Sequence, residues 1–406
     1  MNRLTFILVI TLVSGIIAQN NLPEKLLGCQ RFVTLEYRHD FREFSEEIFE
    51  EVAKDQNSSF VFSQYSVWLA LAAIAEGTDE DTQNSLLKIL HLPKSSCLRE
   101  KYYDIATSLE SSGEDITLER RRMFILDDHT ILNSTWASTV RAMGLVDTKV
   151  LPIKNNSEAP EIIRKLIGGN WTDMKLDLTG NSILLDSLFY KALWTTAFEN
   201  CTQDNVDFFN DKGLKIGKVD LMRVKKRVRL TYIDWLQAKL LELPVGNNGR
   251  FRMLFIMNMR KNSIYKTMDN VQKYLRRYLE TMPLLVPVSL VPLEVAIPKF
   301  NLTSELDLKA ALNRMGLATI WSDENASKFI SSPPAKPSDF IQRVSISMDC
   351  GGVDPTPPSP CPMTNIGTGF AAAMGRGFIA NRPFIFGLVD SQTKTWLFSG
   401  VYSGPE

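Results

Sequence analysis

Histidine is scarce in this 406-residue chain, which carries only His39, His91 and His129. None belongs to an HExxH pair, and the chain also lacks a GxSxG nucleophile elbow and a GxxxxGK(S/T) phosphate cradle. A catalytic triad is defined by geometry and not by order in the chain, so absent motifs alone do not exclude one. With so few histidines, enzymatic activity still ranks well behind binding or inhibition. Charge of one sign is lacking too. The 46 basic residues balance 46 acidic ones, which gives no reason to expect nucleic acid or an anionic membrane as a partner. No CxxC and no His/Cys spacing suited to zinc occurs, so no metal or cofactor is expected. No apolar run is long enough to span a bilayer. Internal repeats and long low-complexity linkers are missing as well.

What is present points to export. Arg3, the apolar run Leu4 to Val13 and the small residue Ala18 predict a secretory signal over residues 1–18. Ile16 is less typical of a cleavage site, so the cut is placed only approximately. Seven Asn-x-Ser/Thr acceptors begin at Asn57, Asn133, Asn155, Asn170, Asn200, Asn301 and Asn325; such tripeptides also arise by chance, but with a signal they favour a secreted, extracellular protein. Of the five cysteines, Cys29, Cys97, Cys201, Cys350 and Cys361, the last two lie eleven positions apart and are spaced to close a small loop. The odd count leaves at least one thiol free or paired with another chain.

The chain is 44% hydrophobic, enough for a sizeable core. Helical periodicity covers Phe41 to Ala53, Ser66 to Glu76 and Asp81 to Leu90. The second of these is apolar nearly all round and must be buried. Gly77 ends it, and Thr78 is placed to cap the next helix. From Ile183 to Tyr190 the sequence is almost continuously apolar, as in a strand covered on both faces. Further strands are predicted at Arg252 to Met257, Leu293 to Ile297, Pro383 to Val389 and Thr395 to Val401, and helices at Val271 to Glu280 and Asp307 to Met315. Helices clustered early and strands clustered late give an α+β class. Prolines 355, 357, 358, 360 and 362 interrupt the pattern, and no interior strand runs through such a stretch. Two basic clusters, Arg120 to Arg122 and Lys225, Lys226, Arg227 and Arg229, offer a glycosaminoglycan patch. A solvated face is the preferred explanation, as it is for Lys273, Arg276 and Arg277.

Several segments, in order along the chain, resemble the serpin family. In "NSSFVFSQYSVWLALAAIAEGTDEDTQNSLLKIL" the matching residues are Asn57, Ser63, Ser66, Gly77 and Thr82, with Gln64 where the family has proline. In "NSILLDSLFYKALWTTAFENCTQDNVDFF" they are Tyr190, Lys191, Trp194, Phe198, Thr202 and Phe208. "LLELPVGNNGRFRMLFIM" follows. Then Ile297-Pro298-Lys299-Phe300 is followed by Leu308, Leu312 and Gly316-Leu317. Arg382-Pro383-Phe384-Ile385-Phe386 and Leu397-Phe398-x-Gly400-Val401 match the closing strand pair. The resemblance spans about Phe41 to Pro405.

It implies a single serpin domain over 19–406, with helices packed on a large central mixed sheet, two further sheets and an exposed reactive-type loop near 350–378. It further implies a monomer whose loop a target serine or cysteine protease cleaves, after which the freed segment inserts into the central sheet and traps the enzyme. Two alignments of the loop are open. Without gaps, the scissile bond falls near Phe370, Ala371, Ala372 and Ala373. The inserting segment then begins around Thr356 to Ser359 and holds most of the prolines. Alternatively, Gly367 and Thr368 begin the hinge, and the stretch between Cys350 and Cys361 is an insertion. That leaves the loop about ten residues short, with Arg376 as the candidate cleavage site. Two further departures concern opening of the sheet: Asp186-Ser187 replaces the family's Asn-Ala, and the histidine of the last central strand, resembled by Phe340 to Met348, is missing. The expectation is a secreted serpin-type protein, not an enzyme, with trapping impaired or lost. Its partner is an extracellular serine protease or another protein or ligand. The alternative is a working suicide inhibitor with an unusual loop.

Overall fold

The apolar segments pair into three main sheets in the computed structural model. It describes residues 32–110, 116–154, 156–167, 176–199, 205–234, 236–247, 249–259, 264, 288–322, 327–353 and 377–405. The expected signal sequence, the helix over 271–280, the basic residues Lys273, Arg276 and Arg277, and the loop over 354–376 lie outside these residues.

The first part of the described chain is helical: α1 (Thr34–Ala53), α2 (Gln64–Ala75), α3 (Glu80–Ile89) and α4 (Ser96–Thr107). All of α2 is buried, as its all-round apolar surface requires. The hydroxyl of Ser63 accepts from the Ser66 N–H at 3.2 Å and caps the helix. Gln64 takes the first helical position, where proline is well tolerated because its missing N–H would have no helical partner. Its amide donates instead to Ser399 Oγ at 2.9 Å. Asp79, not the expected Thr78, caps α3 by accepting from the Thr82 N–H at 2.9 Å. The Thr78 hydroxyl points back and donates to the Ala75 carbonyl at 3.1 Å.

The central sheet comprises β1 (Ile116–Asp127), β2 (Asp147–Leu151), β3 (Ser182–Leu193), β4 (Phe300–Asp307), β5 (Pro337–Met348) and the two-residue β6 (Gly352–Val353). Their spatial order is β4-β5-β6-β3-β1-β2. The sheet is mixed: β5 runs parallel to β3 and β1 parallel to β2, while β4–β5 and β3–β1 are antiparallel. β3 is buried from Ser182 through Leu188, which explains its unbroken apolar character. Along β4 burial alternates, with Phe300, Leu302, Ser304 and Leu306 inward and Asn301, Thr303, Glu305 and Asp307 outward, as on an edge strand wetted on one face.

A second, antiparallel sheet orders Phe60–Phe62, Trp396–Tyr402, Phe384–Asp390, Phe251–Asn258, Ala238–Val245 and Arg229–Ile233. A third joins Phe378–Ile379, Leu293–Pro298 and Leu221–Lys226. Helix α2 packs on β3, β1 and Trp396–Tyr402, between the central and second sheets. Tyr402 stacks on Phe300 at 4.8 Å and on Phe384 at 5.2 Å, continuing the core between them. The α+β class therefore holds. The sorting of helices before strands does not, since β1 lies in the first third and at the heart of the central sheet.

Candidate functional site

A segment can join the central sheet as an interior strand only where two neighbours part. β3 and β5 are the parallel neighbours, and their register sets Asp186 opposite Gln342 and Ser187 opposite Arg343. The two side chains meet across this seam: Gln342 Nε2 donates to Asp186 Oδ2 at 2.6 Å. The same amide reaches the N-cap of α2. Gln342 Nε2 donates to the Ser63 carbonyl at 2.9 Å, and Gln342 Oε1 accepts from the Ser63 N–H at 2.8 Å. The Ser66 hydroxyl donates to Asp186 Oδ1 at 2.5 Å. Gln342, Asp186, Ser66 and Ser63 are all buried. The first turn of α2 thus ties both strands together from below.

The network continues into a buried ion cluster. Arg122 on β1 is fully buried and lies near the same Ser66 hydroxyl, Nη1 to Oγ 3.4 Å. Its Nη2 donates to Glu110 Oε1 at 2.7 Å and to the Gly144 carbonyl at 2.8 Å, and its Nε to the Leu145 carbonyl at 2.8 Å. The Tyr65 hydroxyl donates to Glu110 Oε1 at 2.9 Å, and Arg120 pairs with Glu110 Oε2. Burial pushes the Asp186 carboxyl up, against the pull of Arg122, Ser66 and Gln342. Burial also opposes the charge on Arg122, but Glu110, Tyr65 and Asp186 outweigh it and raise its pKa.

The Gln342 amide on β5 and the Asp186 carboxylate on β3 bridge the two strands. Where the resembled family has a histidine and an asparagine, a Gln–Asp pair links the same two strands. The Arg120–Arg122 cluster was expected as a solvated face, and for two of its members that is corrected. β1 carries one face into the core, so Arg122 is buried and Arg120 is paired, and only Arg121 is exposed, donating to the Leu166 carbonyl at 2.8 Å. In the other cluster Arg229 pairs with Glu242 and burial lowers the Lys226 pKa, Lys226 lying 5.9 Å from the Phe198 ring. Lys225 is exposed.

β6 occupies the upper end of the seam. Gly352 pairs with Leu193 and Val353 with Ala192 of β3, while Val353 also pairs with Met348 of β5, antiparallel on both sides. This lies before the Thr356 to Ser359 start expected for the inserting segment. Only glycine fits at 352, since a Cβ there would lie 2.0 Å from the Ala192 carbonyl oxygen. Beyond residues 354–376 the chain resumes in the third sheet, with Phe378 opposite Val295.

Pro355, Pro357, Pro358, Pro360, Pro362, Gly367, Thr368, Phe370, Ala371, Ala372, Ala373, Arg376 and Cys361 lie outside the described residues. Cys350 is buried, and both Cys350 and Cys97 are disulfide-bonded. Asn57, Asn133 and Asn301 are exposed. Asn133 is also an N-cap, its Oδ1 accepting from Thr135 and Trp136, and its Nδ2 donates to the Phe329 carbonyl at 2.9 Å. Asn155, Asn170, Asn200 and Asn325 lie outside the described residues. No helix among the described residues is long and apolar enough to cross a membrane.

Sequence and structure comparisons agree with this geometry. The family model described as "Serpin (serine protease inhibitor)" matches residues 39–405. Serpin B5 of Xenopus laevis is 24% identical over 368 residues, which cover 87% of this chain and 92% of that protein. Antichymotrypsin-2 of Bombyx mori is 22% identical over 369 residues, 88% and 96% of the respective chains. Serpin48 of Tenebrio molitor superposes with a TM-score of 0.76 at 18% identity, covering 92% of this chain and 99% of its own. A thyroxine-binding globulin complex with thyroxine gives 0.76 at 17%, covering 91% and 99%. The chain belongs to the serpin family, whose proteins are characteristically non-catalytic protease inhibitors.

Proposed function

We propose that this is a secreted serpin in which full insertion of the loop is blocked, and that it acts by binding a protein or ligand and not by trapping a protease. The observation that carries this reading is the register of β6. Continued along β3, it sets Pro355 against Tyr190, Pro357 against Leu188, Pro358 against Ser187, Pro360 against Leu185 and Pro362 against Ile183. Successive N–H groups of an interior strand point to opposite neighbours. Pro355 and Pro357 would therefore leave gaps in one ladder, and Pro358, Pro360 and Pro362 gaps in the other. Five missing bonds at about 1 kcal/mol each remove roughly 5 kcal/mol from the drive for insertion, before any steric cost of the rings.

The gapless alignment of the loop fits this register, and the cleavage-prone bond then lies near Phe370 to Ala373. The alternative hinge at Gly367-Thr368 leaves too little chain before Phe378. Secretion is supported by the signal-like start and the exposed acceptors Asn57 and Asn301. A binding role is consistent with the fold, since a protein of similar structure is described in complex with thyroxine. One observation favours the second reading, a suicide inhibitor with an atypical loop: the seam already accepts Gly352 and Val353 between its strands.

Incubation with trypsin-, chymotrypsin- and elastase-like serine proteases, followed by a denaturing gel, separates the two. Cleavage within the loop without an SDS-resistant complex is the expected result. A covalent complex with any of these proteases establishes the second reading instead.

A further inference from the structure

At the lower end of the same two strands, away from β6, lies a cavity of about 450 Å³, a size typical of small-molecule sites. Lys154, Lys309 and Lys336 line it, and no Asp or Glu is among its lining residues in the described part of the chain. In a chain of zero net charge this is a concentrated positive site. Lys309 is partly committed: its Nζ donates to the Ser338 carbonyl at 2.7 Å, and its charge favours the ionised forms of Asp177 and, against the larger effect of burial, Asp339. Lys154 and Lys336 make no ion pair among the described residues.

The walls are fixed by hydrogen bonds that bring separate segments together. The Lys154 N–H donates to Asp127 Oδ2 at 2.8 Å, and Asn181 Nδ2 donates to the Pro334 carbonyl at 2.9 Å. The apolar wall is Pro333, Pro334 and the indole of Trp321, with the Lys309 ammonium 5.9 Å from the ring. Trp321 is 7% exposed, and its indole N–H has no acceptor among the described residues. A buried donor without an acceptor costs about 1–3 kcal/mol and is uncommon in folded proteins. Two lysines without an ion-pair partner and a flat apolar wall complement a single chemical class.

We infer that this cavity binds a small organic anion, a phosphate monoester or carboxylate with a compact ring. Its charge would be held by Lys154 and Lys336 and its ring would lie against Trp321 and the prolines. The site lies at the end of the seam opposite β6.

The probes are phenyl phosphate and benzoate, titrated into the intact protein by calorimetry and tryptophan fluorescence at low salt, with phenol as the uncharged control. At least one anion should bind saturably, phenol should not, and added salt should weaken the binding. The pair Lys154→Met and Lys336→Met, which keeps the apolar stems of two solvent-accessible side chains, should lower affinity at least tenfold without changing Tm. Trp321→Phe should abolish the fluorescence response while leaving calorimetric binding in place. Absence of saturable binding of both anions, or equal affinity in wild type and the double lysine variant, overturns the inference.

Discussion

Gln342 spends its whole amide on the seam, with one bond to Asp186 and two to the Ser63 backbone. Gln342→Ala would leave one oxygen of the Asp186 carboxylate and the Ser63 N–H without a partner in a site water does not reach. The expected loss is about 3 kcal/mol in denaturant unfolding, and a loss under 1 kcal/mol would show that the amide is not structural. Asp339 gives a separate, pH-dependent test. Burial, with Asp307 and Asp177 nearby, pushes its carboxyl up to about 6. The unfolded chain ionises at about 3.9, so between these values the native state holds the extra proton. Its contribution is complete below the unfolded pKa and is lost as pH rises through the folded one. Stability of the wild type relative to Asp339→Asn should therefore fall by about 2 kcal/mol between pH 4 and pH 7. Equal pH profiles for the two proteins would remove Asp339 from the account. In the sequence, Asp186 and the missing histidine stood out as departures, but their replacement by Gln342 did not, because a glutamine in a strand carries no signal of its partners. Arg122 was hidden for a related reason. Three consecutive arginines look alike in sequence, while the strand period sends the middle one outward and its neighbours to paired or buried positions.

At the scale of elements, apolar pattern located α1 to α3, the helix Lys309–Arg314, β3 and the strands Phe251–Asn258, Leu293–Pro298, Phe384–Asp390 and Trp396–Tyr402, with ends shifted by up to seven residues; the other strands were not singled out by period. β4 was missed although its alternation is regular, because Ser304 occupies an inward position and breaks the apolar count. That serine is inward because its hydroxyl accepts from the Val61 N–H at 2.9 Å. β6 was beyond sequence reasoning: two residues carry no period, and only the seam between β3 and β5 makes them a strand. Its register makes the proline argument testable. Replacing Pro355, Pro357, Pro358, Pro360 and Pro362 together by alanine restores five N–H donors. After limited cleavage in the loop, the alanine variant should gain at least about 10 °C in Tm, since several kcal/mol of new ladder bonds and packing become available. The cleaved wild type should gain little. Equal gains in both proteins would show that the prolines do not obstruct the seam.

For the whole molecule, the family resemblance implies a folded form held above a more stable state with the loop inserted. That state exists only if the central sheet can accept a complete additional strand. Here the upper end of the seam is filled by Gly352 and Val353, the middle is held by Gln342 and Asp186, and the chain that would follow lacks donors for both neighbours. If the proposed block to insertion holds, the native form is already the lowest accessible basin and the usual driving force for rearrangement is gone. Prolonged warming below Tm with disulfides intact should leave mobility on a native gel and the melting curve unchanged. Unfolding in denaturant and dilution should return molecules of the original Tm. A second monomeric species melting more than about 10 °C higher after either treatment would mean that the loop does enter the sheet, prolines included.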